Sequence, residues 1–165
     1  MFEKFGEFDS FEEINRAAAA QYKEGDLEAI KELAIENGLE AEDAKDLIGG
    51  IVDELCNVSM AALGKLKVEA AALDLPFEFT QWVDMLREKC FINETLARGV
   101  RKKGKKLTVV LGQLLKASSE NCKKVPEEIA RAAGVQNPCY IGTVDRQQFD
   151  KIVMKYYTEG RHDSF

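Results

Sequence analysis

The chain reads as all-α, on three observations. Apolar residues recur at helical spacing through most of its length. Capping and stop residues fall between those runs. No segment sustains the alternation of a half-buried strand, and no internal repeat is visible. The expected arrangement is a small N-terminal helical unit followed by a C-terminal helical bundle.

The elements follow in order. Ser10 and Glu13 form a capping box, each side chain placed to satisfy the other's orphan amide. The helix they open runs to about Lys23 with Phe11, Ile14, Ala18 and Tyr22 inward, and Gly25 stops it. Asp26 caps a second helix with Leu27, Ile30 and Ala34 inward, ending at Asn37 and Gly38. A third, from about Glu42, puts Ile48, Ile51, Val52 and Leu55 on one face and Asp43, Asp46, Asp53 and Glu54 on the other. The next carries Met60, Leu63, Leu66 and Leu73. Gly64 interrupts it at a cost of roughly 1 kcal/mol relative to Ala.

Leu75 precedes Pro76 and is steered away from helix, so the chain is expected to divide there. Thr80 then caps a helix with Val83, Leu86 and Cys90 inward and Trp82 beside them. Asn93 starts a short helix to Lys103, stopped by Gly104. The helix 107–117 buries Leu107, Val110, Leu111, Leu114 and Leu115. Pro126 suits the first turn of Glu127–Ala133, and Gly134 ends it. Val135–Thr143 reads as loop or a short extended piece. A last helix, from Asp145 to about Thr158, turns Phe149, Ile152, Val153 and Tyr156 inward, and the residues from Tyr157 read as frayed. The resulting division is 1–75, 76–160 and a tail 161–165.

Composition narrows the function. The net charge of −6 conceals two poles, since residues 1–80 hold 7 Lys+Arg against 19 Asp+Glu and residues 81–165 hold 16 against 10. Charge of this kind biases partners rather than fold. No run of residues is long and apolar enough for a membrane span, and MFEKFGEFDSF lacks a signal pattern, so a cytoplasmic protein is expected. Cys56, Cys90, Cys122 and Cys139 are widely spaced, and the one histidine, His162, lies in the tail. No metal site is expected. Cys56 and Cys90 fall on apolar faces and read as buried reduced thiols.

The basic pole centres on Arg98, Arg101, Lys102, Lys103, Lys105 and Lys106, continued by Lys116, Lys123 and Lys124. Cations favour a helix C-terminus, which accounts for two or three of these charges but not six within nine residues. The remainder suit an anionic surface such as nucleic-acid phosphates. The acidic pole is Glu36, Glu40, Asp43, Asp46, Asp53 and Glu54. Such carboxylates can imitate phosphates in a basic groove, against the plainer reading of a solvated helix face. Pro126–Val135 has the cadence of a first helix and turn for DNA reading, yet the next helix starts too late for that motif. Phe2, Phe5, Phe8 and Phe11, three apart, suit either a partner-binding arm or a strap pinned to the core. No nucleophile elbow, phosphate loop or triad is present, so no enzyme and no cofactor are expected.

The segments Gly104–Leu107, Leu111–Leu115, Ala132–Val135, Tyr140–Gly142 and Tyr156–Tyr157 carry a resemblance to the PcfK-like family of mobile-element proteins, which includes anti-CRISPR inhibitors of the type II RNA-guided nuclease. The opening MFEKFGEFDSFEEINRAA and the segment ENGLEAEDA are similar to the N-termini of longer relatives. The resemblance covers about Leu96–Tyr157 and extends more loosely over the N-terminal half. It implies a non-enzymatic protein of a bacterial host cytoplasm. That protein would bind the guide-loaded effector and block target-DNA binding or cleavage, with the acidic helix competing for a positive channel and the basic segment resting on guide RNA. The alternative is a nucleic-acid-binding accessory of a conjugative or phage-like element, in which the basic half alone binds RNA or DNA.

Overall fold

The computed structural model describes residues 2–159. The protein is essentially all-α: nine helices and one two-residue strand pairing are present among the described residues. The helices are α1 (Phe11–Glu24), α2 (Leu27–Glu36), α3 (Ala41–Ile48), α4 (Val58–Ala71), α5 (Phe77–Ile92), α6 (Glu94–Arg101), α7 (Leu107–Glu120), α8 (Glu127–Ala132) and α9 (Arg146–Thr158). The strands β1 (Lys123–Lys124) and β2 (Tyr140–Ile141) pair antiparallel. That pairing decides for the short extended piece, one of the two readings of Val135–Thr143. His162 and the tail 161–165 lie outside the described residues.

The chain divides into two compact units, Met1–Leu107 with Tyr157–Phe165, and Thr108–Tyr156. The break expected at Leu75 and Pro76 is therefore not a unit boundary. Pro76 is the N-cap of α5, and α5 and α6 both pack against α4. A proline at a helix start turns the chain without separating what flanks it.

The caps of the first unit behave as their side chains dictate. Ser10 accepts from the Glu13 amide at 3.3 Å and Glu13 accepts from the Asp9 amide at 2.8 Å. Asp26 caps α2 and Asn57 caps α4 in the same manner. Ile14, Ala18, Ile30, Leu33, Ala34, Leu39, Ala44, Leu55, Cys56 and Ala61 form a continuous buried core. Phe5, Phe8 and Phe11 pack against it. The phenylalanine series is thus the inner face of a strap rather than a free arm.

Several apolar assignments change, Tyr22 and Leu27 among them, which are exposed rather than inward. Helix α3 ends at Ile48, because Gly50 turns the chain with φ +69°. Ile51 is consequently 74% exposed and Val52 40%, while Leu55 stays buried. In α4 the buried face is Ala61, Ala62, Gly64, Lys65, Leu66 and Glu69, so two charged residues sit where the expected seam placed Leu63 and Leu73. Leu115 is exposed, whereas Tyr157, expected in a frayed end, is buried. Its backbone lies against Gly99, where a Cβ would collide with the Tyr157 carbonyl.

In the second unit Val110, Leu111, Leu114, Ala117, Ala130, Phe149 and Val153 are buried. Asn121 donates to Gln148 at 3.0 Å.

Gly64 is explained by close approach. A Cβ there would strike the Asn37 carbonyl, and one on Gly38 would strike the Gly64 backbone. The end of α2 therefore rests directly on the α4 backbone. Helix propensity alone predicts that Gly64→Ala stabilises the protein by roughly 1 kcal/mol. The packing predicts the opposite sign, a loss of about 2 kcal/mol or more in urea unfolding from overpacking against rigid backbone. A stabilised variant would refute the close approach.

Candidate functional site

Two sets of charged residues emerge, and the structure treats them differently. Within the first unit the cations of the basic segment are largely engaged. Lys65 of α4, 1% exposed, lies 2.7 Å from Glu7 Oε1 and 3.9 Å from Glu69 Oε1, and donates to the Lys102 carbonyl at 2.6 Å. Glu69 Oε2 accepts the Leu107 amide at 2.6 Å, which caps the first turn of α7 from the side of α4. Glu7 takes a second cation, Lys106, at 3.1 Å. A carboxylate of the strap is therefore clasped between two lysines.

Arg101 was expected to meet phosphates; it is 1% exposed and cannot. Its Nη2 donates to Asn37 Oδ1 at 2.9 Å, and Asn37 donates onward to the Leu33 carbonyl. The Phe2 ring covers the guanidinium at 5.6 Å. Arg98 is held by Glu12 at 2.8 Å and Glu94 at 2.9 Å, over the Phe11 ring. Lys105 donates to the Glu159 carbonyl and Lys116 lies 3.9 Å from Glu120. Lys102, Lys103, Lys123 and Lys124 are exposed and make no side-chain ion pair among the described residues. The nine-residue basic patch is thus reduced to two separate lysine pairs, one in each unit.

Burial sets the titration of the engaged groups. It pushes Lys65 and Arg101 down and Glu69 up, with the neighbouring opposite charges and the Leu107 amide acting against it. Burial also acts to raise the Glu7 carboxyl, but Lys65 and Lys106 prevail and hold it below the ordinary carboxylate value. Desolvation pushes both the Cys56 and the Cys90 thiols up to about 12, so each is a protonated core residue.

The acidic residues divide the other way. Glu36 accepts the amides of Lys4 and Phe5 at 2.9 and 3.2 Å and so anchors the strap. Glu40 pairs with Lys67, and its amide donates to Asp43 at the start of α3. Asp46, Asp53 and Glu54 have no cationic partner among the described residues. With Asp43 they line one broad concavity of about 660 Å³ that also includes Val52, Leu55 and Met60.

The loop Gly49–Asn57, which carries Asp53 and Glu54, is tied to α1 and α3 by hydrogen bonds. Asn15 of α1 donates to the Cys56 carbonyl at 2.9 Å and accepts the Cys56 amide at 3.1 Å. The Asp46 carbonyl accepts the Ile51 amide at 2.9 Å. Leu55 and Cys56 face the core, while Ile51, Val52, Asp53 and Glu54 project outward. The acidic residues were expected on a helix face; Asp43 and Asp46 are on α3, whereas Asp53 and Glu54 reach the same concavity from the loop that follows it.

Comparison with family models, characterised proteins and solved structures returns no match. No cluster of three or more metal-ligating side chains occurs among the described residues, and none of their helices is long and apolar enough to cross a membrane.

The buried residues missed by sequence reasoning are Lys65, Glu69, Arg101 and Asn37. One signal was available: Lys65 and Glu69 stand four apart between Ala61–Ala62 and Ala70–Ala71, a polar pair flanked by small residues.

Replacing Glu7 with Gln leaves Lys65 buried with a weakened partner and is expected to cost roughly 3 kcal/mol near neutral pH. A carboxylate whose folded pKa is lowered contributes stability above its unfolded value of 4.5, and that stability is lost as pH falls through the lower folded value. Urea unfolding across that range should show the gap between parent and Glu7→Gln closing as pH falls. A gap independent of pH would show that Glu7 is not ionised in the fold.

Proposed function

We propose that this protein is a non-enzymatic binder whose acidic rim, Asp43, Asp46, Asp53 and Glu54, occupies a basic surface of a nucleic-acid-handling protein. The observation that carries the reading is the asymmetry of charge use. Five of the nine cations of the basic segment are engaged by other groups of the chain, three of them in ion pairs, while Asp46, Asp53 and Glu54 border one concavity with no cationic partner among the described residues. Unpaired charge of this kind complements a positive groove and speeds encounter with it.

The resemblance to PcfK-like proteins supplies the candidate for that partner: the guide-loaded type II effector nuclease, whose channel holds a heteroduplex against positive walls. In this reading the rim takes the place of target-DNA phosphates, and target-DNA binding or cleavage is blocked in the cytoplasm of the bacterial host. The exposed pairs Lys102–Lys103 and Lys123–Lys124 favour a second reading, a nucleic-acid-binding accessory of a mobile element.

One combined variant separates the two. Asp46→Asn, Asp53→Asn and Glu54→Gln remove charge from the rim and spare Asp43, which receives the Glu40 amide. Such surface changes normally alter stability by within about 0.5 kcal/mol. In a target-DNA cleavage assay with the guide-loaded nuclease, the folded variant should need roughly tenfold more protein to protect DNA. Protection equal to the parent's contradicts the rim mechanism. Tighter binding to free nucleic acid, without any protection by the parent, establishes the accessory reading instead.

A further inference from the structure

Beside the acidic concavity lies a second, smaller one, and the loop from Val52 to Leu55 is the ridge between them. Its walls are Ala19 and Tyr22 of α1, Leu47 of α3, and Val52 and Leu55 of the loop. Its volume is about 280 Å³. That is just under the usual range of small-molecule sites, roughly 300–1,000 Å³, and it is the scale of one inserted side chain. Tyr22 is 49% exposed and Val52 40%, so apolar surface is left facing solvent at its mouth, with Ile51 beside it on the loop.

Charge around this groove is polarised. Asp53 and Glu54 stand on the loop side and Lys23 on the α1 side. An occupant inserting an apolar side chain here meets two carboxylates on one flank and a cation on the other. Positive charges of that occupant are thus favoured on one side of its anchor alone.

We infer that the groove between α1 and the Val52–Leu55 loop is an anchor pocket. It would take a single aliphatic or aromatic side chain from a protein segment whose lysine or arginine residues lie on the side of Asp53 and Glu54. The inference rests on the acidic-rim reading and adds the partner's local chemistry: a basic segment with one apolar anchor, rather than a featureless positive surface. Anchors of this kind concentrate binding energy in a small desolvated pocket, while the charged flank sets orientation and encounter rate.

The pocket can be filled without touching a charge. Ala19 is exposed on α1, so Ala19→Phe places a ring in the groove at little cost to the helix. Tyr22→Ser removes a wall instead and serves as the second variant should the first unfold. The probes are fluorescein-labelled peptides: one with a central Leu and lysines on one side, the same peptide with Leu replaced by Ser, and a third with its lysines replaced by Gln.

The Leu peptide should bind the parent roughly tenfold or more tightly than the Ser peptide. It should lose a similar factor on Ala19→Phe or Tyr22→Ser. The Gln peptide should bind weakly to both proteins. Equal binding of Leu and Ser peptides, no binding of the Leu peptide, or indifference to both variants overturns the anchor pocket.

Each variant is also run in the nuclease-protection assay. Protection retained by a folded groove variant but lost on rim neutralisation refutes the anchor and leaves the rim reading standing. Leu-dependent peptide binding with no effect of the parent on the nuclease refutes the nuclease as partner and leaves the anchor standing.

Discussion

The structure of the first unit depends on a lysine that has been taken out of water. Lys65 is buried between Glu7 and Glu69, with the Lys102 carbonyl completing its contacts. Burying an ammonium costs several kcal/mol, and its pairing does little more than offset that. Apolar residues in place of the whole cluster would be as stable or more so, whereas removing the lysine alone strands two carboxylates. What the charge adds is specificity of connection, because each partner comes from a different part of the chain. Glu7 belongs to the N-terminal strap, Glu69 to α4, and the Lys102 carbonyl to the turn after α6. Through Glu69 the same cluster caps the Leu107 amide.

This arrangement decides which charges are left for partners. A lysine or arginine clasped by a carboxylate in a half-buried setting offers little to a phosphate. Lys106, held by Glu7, is in that position; Arg101, buried against Asn37, is out of reach altogether, and Arg98 is shared between Glu12 and Glu94 at the surface. The strap therefore does two things: it covers the apolar core with Phe5 and Phe8, and its Glu7 engages Lys106 of the segment that composition marks as basic. The acidic loop receives no such treatment. Its backbone is pinned by Asn15, its two inner residues are buried, and its carboxylates are turned outward. Unpaired charge beside exposed apolar side chains is the arrangement expected of a docking surface.

Much of the helical layout was legible because it is written in local chemistry. Ser10, Asp26 and Gly25 act through neighbours within four residues, so their meaning survives without tertiary context. The end of α3 was legible too, in Gly49 and Gly50, but the apolar run Ile51, Val52, Leu55 invited an extension of the helix through them. Of the six acidic residues grouped together, Asp43, Asp46, Asp53 and Glu54 line one concavity while Glu36 and Glu40 are engaged elsewhere, and the placing of Asp53 and Glu54 depends on that misjudged loop. The fate of the basic segment was not legible at all. Whether Arg101 meets solvent or Asn37 depends on a residue 64 positions away, and periodicity treats any cation as outward-facing. The β1–β2 pairing is two residues long and leaves no pattern to read.

The central claim is that one buried cation fastens the strap and the start of α7 together. Amide hydrogen exchange on Lys65→Met tests it most directly, since methionine keeps the length of the side chain and removes its charge. The account predicts that Glu7 and Glu69, deprived of their common partner, release what they hold. The Lys4 and Phe5 amides bonded to Glu36, the Lys103 amide bonded to Asp9 and the Leu107 amide bonded to Glu69 should then lose protection together. Protection inside α2, whose core contacts do not involve Lys65, should be kept. If the strap and Leu107 amides exchange in Lys65→Met as slowly as in the parent, the strap is held by its phenylalanines alone and the claim is wrong.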